Sequence, residues 1–106
     1  MRKEITPAEL KSRFDAHEPV VLLDVREPEE LVLASLPDVI HIPMGDIPAR
    51  FQELDPEQEI VVLCHHGMRS ASVVQFLAQR DFPRVLNLAG GIDAWSLEVD
   101  PRVPRY

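Results

Sequence analysis

The side chains with chemistry to offer gather in one stretch, Ile60 to Ser72, which reads I-V-V-L-C-H-H-G-M-R-S-A-S. Cys64 is the only cysteine among 106 residues. An apolar run ends at Leu63 and a helical pattern begins near Ser70, so Cys64 opens a loop that Arg69 closes. In open parallel sheets, ligands collect beyond the carboxyl ends of the strands. Such a loop also favours a thiolate: a helix N-terminus or a nearby cation lowers a thiol that ordinarily titrates at roughly 8.5. Gly67 permits positive φ, which lets successive amides converge on one anion. Arg69 adds a permanent charge with a fork suited to oxyanions. Together they describe an anion cradle above a nucleophilic sulfur, a positive well in an acidic chain. Residue types alone leave the other reading open, since a lone Cys after an apolar strand can be a small buried hydrophobe.

Elements must hold that loop, and the apolar pattern supplies them. Val20 to Val25, Ile60 to Leu63 and Val85 to Leu88 are continuous apolar runs, with Val39 to Ile42 a weaker case. Continuous rather than alternating apolarity predicts strands buried on both faces, as in a parallel sheet. Thr6-Pro7-Ala8-Glu9 predicts a capped helix start with Leu10 and Phe14 on its apolar stripe. Further helices are predicted after Pro28, over Ile47, Phe51 and Leu54, over Ser70 to Arg80 with Ala71, Val74, Leu77 and Ala78 buried, and after Gly90-Gly91, where Trp95 anchors the core. Strands alternating with helices predict a three-layer α/β/α domain with a central parallel sheet. Residues 1–106 fit one such domain.

Composition narrows the function classes. Eleven Lys and Arg against eighteen Asp and Glu give a formal net charge of -7. A nucleic-acid or anionic-membrane binder acting through its bulk field carries the opposite sign. The charged opening from Met1 to Leu10 lacks a signal-peptide core, and no run is long enough to span a bilayer, so a cytoplasmic location is expected. A single cysteine excludes a disulfide within the chain and a zinc site of paired cysteines. Whatever a reactive Cys64 forms must therefore be taken up by an acceptor from outside.

Four stretches in order resemble the rhodanese-like superfamily. Leu22-Leu23-Asp24-Val25-Arg26-Glu27-Pro28-Glu29-Glu30 is similar to its L-[LI]-D-V-R-x-x-x-E opening. Ile42-Pro43-Met44 is similar to its N-I-P-L segment. Cys64-His65-His66-Gly67-Met68-Arg69-Ser70 resembles its C-x-x-G-x-R-S active loop, and Asn87 to Trp95 its N-[LV]-x-G-G-x-x-x-W closing motif. The resemblance implies five parallel strands with helices on both faces. It implies transfer of a sulfane sulfur, from thiosulfate or a persulfide, to cyanide or a thiol through a Cys64 persulfide. On that reading the loop from His65, His66, Gly67 and Met68 to Arg69 and Ser70 binds the donor, its amides steadying charge on sulfur. Arg69 holds the donor's oxyanion end and helps depress the thiol pKa. The implied partners are a small anionic sulfur donor and an external thiol or protein acceptor, with no cofactor, metal, nucleic acid or membrane.

Two departures stand out. Ser35 and Asp38 occupy positions where the family commonly has His and Gly, and Asp81 stands where the helix after the active loop often ends in Gly. Asp24 and Arg26 read as a structural ion pair near the site. His65 and His66 are expected to diverge as loop neighbours and to tune the pocket rather than hold a metal. Gly90-Gly91 reads as a tight turn, and His17 and His41 as ordinary surface and strand-end residues. The tail from Val99 to Tyr106 is expected to lie extended, shielding the pocket or docking a partner. Two other functions stay in view. Cysteine-type phosphatases place five residues between Cys and Arg, whereas this loop has four. A non-catalytic rhodanese-like binding module is the second.

Overall fold

The apolar runs do form buried strands, in a computed structural model that describes residues 3–106; Met1 and Arg2 of the charged opening lie outside the described residues. In chain order the elements begin with β1 (Glu4–Ile5), α1 (Pro7–Asp15), β2 (Val21–Asp24), α2 (Pro28–Leu33) and β3 (Ile40–His41). They continue with α3 (Ile47–Arg50), β4 (Ile60–Leu63), α4 (Met68–Ala78), β5 (Val85–Leu88) and α5 (Gly91–Glu98). The five strands form one parallel sheet in the order β1-β5-β4-β2-β3. Alternate residues of each central strand face opposite layers. Leu23, Ile60 and Val62 pack with Val73, Val74 and Leu77 of α4. Leu22, Val61 and Leu63 pack with Leu10 of α1 and with Ile92 and Trp95 of α5. That is the expected three-layer α/β/α arrangement. No helix among the described residues is long and apolar enough to cross a membrane.

Local chemistry accounts for most boundaries. Thr6 caps α1 through its hydroxyl, which accepts from the Glu9 amide, while the Glu9 side chain accepts from the Thr6 amide. At the start of α2 the Glu30 side chain accepts from the Glu27 amide, and the Glu30 amide donates to the Glu27 carbonyl. Asp81 ends the turn after α4 with a left-handed φ of 66°, and Asp38 does the same with 60° before β3. Both aspartates adopt a conformation that Gly takes more readily.

The structure corrects two readings and adds one strand that the apolar pattern did not place. The segment over Ile47, Phe51 and Leu54 is no continuous helix: α3 is one turn between 3-10 turns at Met44–Asp46 and Phe51–Glu53. Pro43 and Pro48 remove amide donors from this stretch, so a long helical ladder is not available. The three side chains still join one core cluster. Helix α4 starts at Met68, and its buried face is Ser70, Val73, Val74 and Leu77, with Ala71 exposed. Finally, β1 is only two residues long, too short for an apolar pattern to reveal.

One polar interaction fixes the exit of β2. Asp24 and Arg26 are both fully buried, paired at 2.7 Å. Arg26 also donates to the carbonyls of Ala34 at 2.9 Å and Glu30 at 3.3 Å. His41 approaches the Arg26 carbonyl at 2.7 Å from the neighbouring strand. These bonds staple α2 over the carboxyl edge of the sheet. Arg26→Met leaves the Asp24 carboxylate buried without its partner, and should destabilise the fold by roughly 3–5 kcal/mol, measured by equilibrium denaturation in urea.

Candidate active site

Cys64 follows β4 directly, at the carboxyl edge of the sheet, and is 1% exposed. The next residues turn back so that the start of α4 faces its sulfur. The Gly67 amide lies 3.1 Å from Sγ, the Ser70 amide 3.4 Å and the Ser70 hydroxyl 3.3 Å. Gly67, at φ 100°, makes this turn, and no side chain caps α4. The sulfur thus occupies the place of a capping oxygen, meeting amides that a helix N-terminus leaves unpaired. Burial pushes the Cys64 thiol up, but hydrogen bonds from the Ser70 hydroxyl and from the amides of Ser70, Gly67 and His66 outweigh it. The net result is a thiol below its ordinary pKa.

Asn87 on β5 holds the two ends of this turn together. Its Oδ1 accepts from the Ser70 hydroxyl at 2.5 Å, and its Nδ2 donates to the Gly67 carbonyl at 3.0 Å. The hydroxyl has one proton to give. It can serve Asn87 while Cys64 is a thiol and swing to the sulfur when the thiolate forms.

The other side of the loop is held by α5. The amides of Ile92 and Asp93 donate to the carbonyls of Cys64 at 2.9 Å and His65 at 3.1 Å. Gly90 and Gly91 have φ of 75° and 64°. A Cβ on Gly91 would stand 2.5 Å from both of those carbonyl oxygens. Gly91 therefore does more than turn the chain: it admits the loop against the helix start. With the carbonyls held on the α5 side, amides further along the loop are free to face the sulfur.

Arg69 has a partner that the sequence reading did not give it. Its fork is closed on Glu30, Nη1 to Oε2 at 2.7 Å and Nη2 to Oε1 at 2.9 Å. The Arg69 hydrogen bond holds the Glu30 carboxyl down at about 2, against the opposing effect of burial. The Tyr106 hydroxyl donates to Glu30 Oε1 at 2.8 Å and accepts from Arg26 Nη1 at 3.0 Å. The tail thus reaches the site. Val103 is buried, and Arg105 pairs with Asp93 at 2.8 Å. The Tyr106 ring stacks on His65 with centroids 3.8 Å apart and planes 8° from parallel.

The histidines do not diverge as expected. Their ring centroids lie 3.8 Å apart at 31°, because Tyr106 confines His65 from the side. Burial, then the charge of His66, lowers the His65 pKa, and its Nε2 is buried without a hydrogen-bond partner. Ligand atoms of His65, His66 and Asp93 lie within 4.8 Å of one another. Asp93 already gives both carboxylate oxygens to Arg105, at 2.8 and 3.3 Å. Met68 is largely exposed beside the loop. The structure therefore brings Cys64, Gly67 and Ser70 together and pairs Arg69, close enough to feel the Cys64 charge, with Glu30. Glu30, Asn87, Gly91 and Tyr106 were not identified as site residues from sequence. A polar Asn within a buried strand was a signal; a tyrosine at position 106 gave none.

The rhodanese-like domain family model matches residues 6–98. The Bacillus subtilis protein YtwF, named as a candidate sulfurtransferase, is 42% identical over 94% of this chain and 96% of its own length. A protein named sulfurtransferase from Allochromatium vinosum is 38% identical over 91% of this chain and 90% of its own. The crystal structure of a rhodanese-related protein from Thermoplasma volcanium superposes with a TM-score of 0.85 at 34% identity, covering 98% of this chain and 99% of that one.

Two substitutions test the geometry around the sulfur. Gly91→Ala forces a Cβ into backbone oxygens at a left-handed φ, and should cost roughly 2–3 kcal/mol in a denaturation experiment. Ser70→Ala removes the one hydroxyl proton that can be donated to the thiolate while leaving the amides. It should move the pH profile of Cys64 alkylation by iodoacetamide to higher pH, because the anion loses a donor. At neutral pH the rate should fall about five-fold.

Proposed function

Because this chain belongs to the rhodanese-like domain family, we propose that it is a sulfurtransferase in which Cys64 carries sulfur as a persulfide between a donor and an external acceptor. The observation that carries this reading is the convergence of loop donors on Cys64 Sγ. The names of these relatives support transfer of sulfur.

In the loading step the Cys64 thiolate attacks the outer, sulfane sulfur of the donor. A bond forms between Cys64 Sγ and that sulfur, and the donor's sulfur–sulfur bond breaks. Its electron pair leaves with sulfite when the donor is thiosulfate, or with a thiolate when the donor is a persulfide. Neither leaving group needs a proton at neutral pH, so no general acid is required of His65 or His66. With thiosulfate the outer sulfur takes the charge that Sγ carried, and loop amides aimed at the original anion steady the new one. With R–S–SH that charge leaves with RS⁻ and the outer sulfur keeps its proton. In unloading, cyanide or an acceptor thiolate attacks the outer sulfur and Cys64 departs as the thiolate. With a single cysteine in the chain, this second attack comes from another molecule. A reducing cytoplasm, where a lone thiol stays free, suits such a cycle.

Intact-mass measurement after incubation with a sulfane donor checks the proposal directly. The native chain should gain one sulfur atom, cyanide should remove it with release of thiocyanate, and Cys64→Ala should gain nothing. Absence of an adduct with thiosulfate and with small persulfides alike would favour a non-catalytic binding module. Turnover of an aryl phosphate in place of sulfur loading would favour phosphatase chemistry.

A further inference from the structure

Among the described residues, the arginines around the Cys64 loop already have anions. Arg26 is paired with Asp24, Arg105 with Asp93, and Arg69 with Glu30. His65 is biased toward its neutral form by burial first and by His66 second. The Arg69 clamp is bidentate, the geometry in which guanidinium and carboxylate hold each other most firmly. Its carboxylate is held from a second side, because the Tyr106 hydroxyl donates to the Glu30 oxygen that also accepts from Arg69 Nη2. Tyr106 is fixed in turn by Arg26 Nη1 and by stacking on His65. What faces the sulfur is therefore a set of neutral donors: the amides of His66, Gly67 and Ser70 and the Ser70 hydroxyl.

We propose that Glu30 and Tyr106 are specificity-determining residues that neutralise the Arg69 charge beside the sulfur-binding bowl, so that persulfides are preferred as donors over thiosulfate. The proposal rests on sulfur loading at Cys64. Loading by thiosulfate delivers a doubly charged group, and sulfite leaves with both charges. Loading by a persulfide, R–S–SH, forms Cys64–S–SH and releases RS⁻, a group with one charge. Neutral donors can steady one negative charge; a second calls for a cation, and the Arg69 guanidinium is already engaged by Glu30. The chain's formal charge of -7 adds to the penalty on a dianion. Access points the same way. Cys64 is 1% exposed, and the slender –C–S–SH end of a persulfide reaches a recessed sulfur with less bulk than a sulfonate.

Glu30→Gln keeps the side chain's shape and its acceptor for the Glu27 amide, but frees the Arg69 charge. Tyr106→Phe keeps the stacking ring and removes the hydroxyl that steadies Glu30. The measurement is the second-order rate of sulfur loading at Cys64, read by intact mass, with thiosulfate and with cysteine persulfide. The native protein should load faster from the persulfide. Glu30→Gln should raise the thiosulfate-to-persulfide rate ratio about ten-fold, and Tyr106→Phe about three-fold. The double substitution Glu30→Gln with Arg69→Ala should cancel the gain, which a merely structural role for Glu30 would not produce. A native preference for thiosulfate, an unchanged ratio in both single variants, or a gain that survives loss of Arg69 overturns this inference and leaves sulfur transfer standing. Failure of both donors to load Cys64 overturns sulfur transfer itself, and this inference with it.

Discussion

The site depends on where two carbonyl groups point. The oxygens of Cys64 and His65 are taken by the first amides of α5, so this part of the loop is anchored to a rigid element behind it. A peptide unit is planar, and fixing its oxygen fixes its amide. Beyond those peptides Gly67 reverses the chain, and Asn87 ties its carbonyl to the Ser70 side chain. The remaining amides then have one common acceptor within reach, the sulfur. Helix α5 gains as well, since its own unpaired N-terminal donors find partners without a capping side chain. One set of backbone bonds thus completes a helix start and shapes a nucleophile.

Charge is handled by pairing rather than by accumulation. A chain this acidic can hold an anion only where local donors outweigh the global field. Here the donors that meet the sulfur are uncharged, while the arginines tie strand ends, helix starts and tail to one another. Arg26 binds β2 to α2, Arg69 binds the loop to α2, and Arg105 binds the tail to α5. The lowered pKa of Cys64 thus follows from hydrogen bonds won against burial. The rim remains close to neutral.

Much of the scaffold was legible because it rests on local rules. Apolar runs of four residues bounded by turn residues gave β2, β4 and β5, and the Thr6 cap gave the start of α1. The segment from Met44 to Glu53 was not legible in the same way. Its apolar spacing is helical, but two prolines break the ladder while leaving the burial pattern intact. In α4 the pattern fixed the helix but not its rotation: with Cys64 demanding the Ser70 amide, the buried stripe runs through Val73 rather than Ala71.

The sequence by itself determined the layers, the place of Cys64 at a strand end, and the identity of the loop that surrounds it. These follow from side-chain periodicity and from a Gly-containing turn before a helix, both short-range properties. The tertiary structure decided which groups the loop would face. Arg69 meets Glu30 at a separation of 39 residues, and Arg26 meets Tyr106 at a separation of 80. Such pairings depend on the strand order that brings β2 beside β4 and carries the tail back across the carboxyl edge. Spacing along the chain holds no record of that. For this reason a free cation above the sulfur was the natural reading of the sequence, and a paired one is what the fold provides.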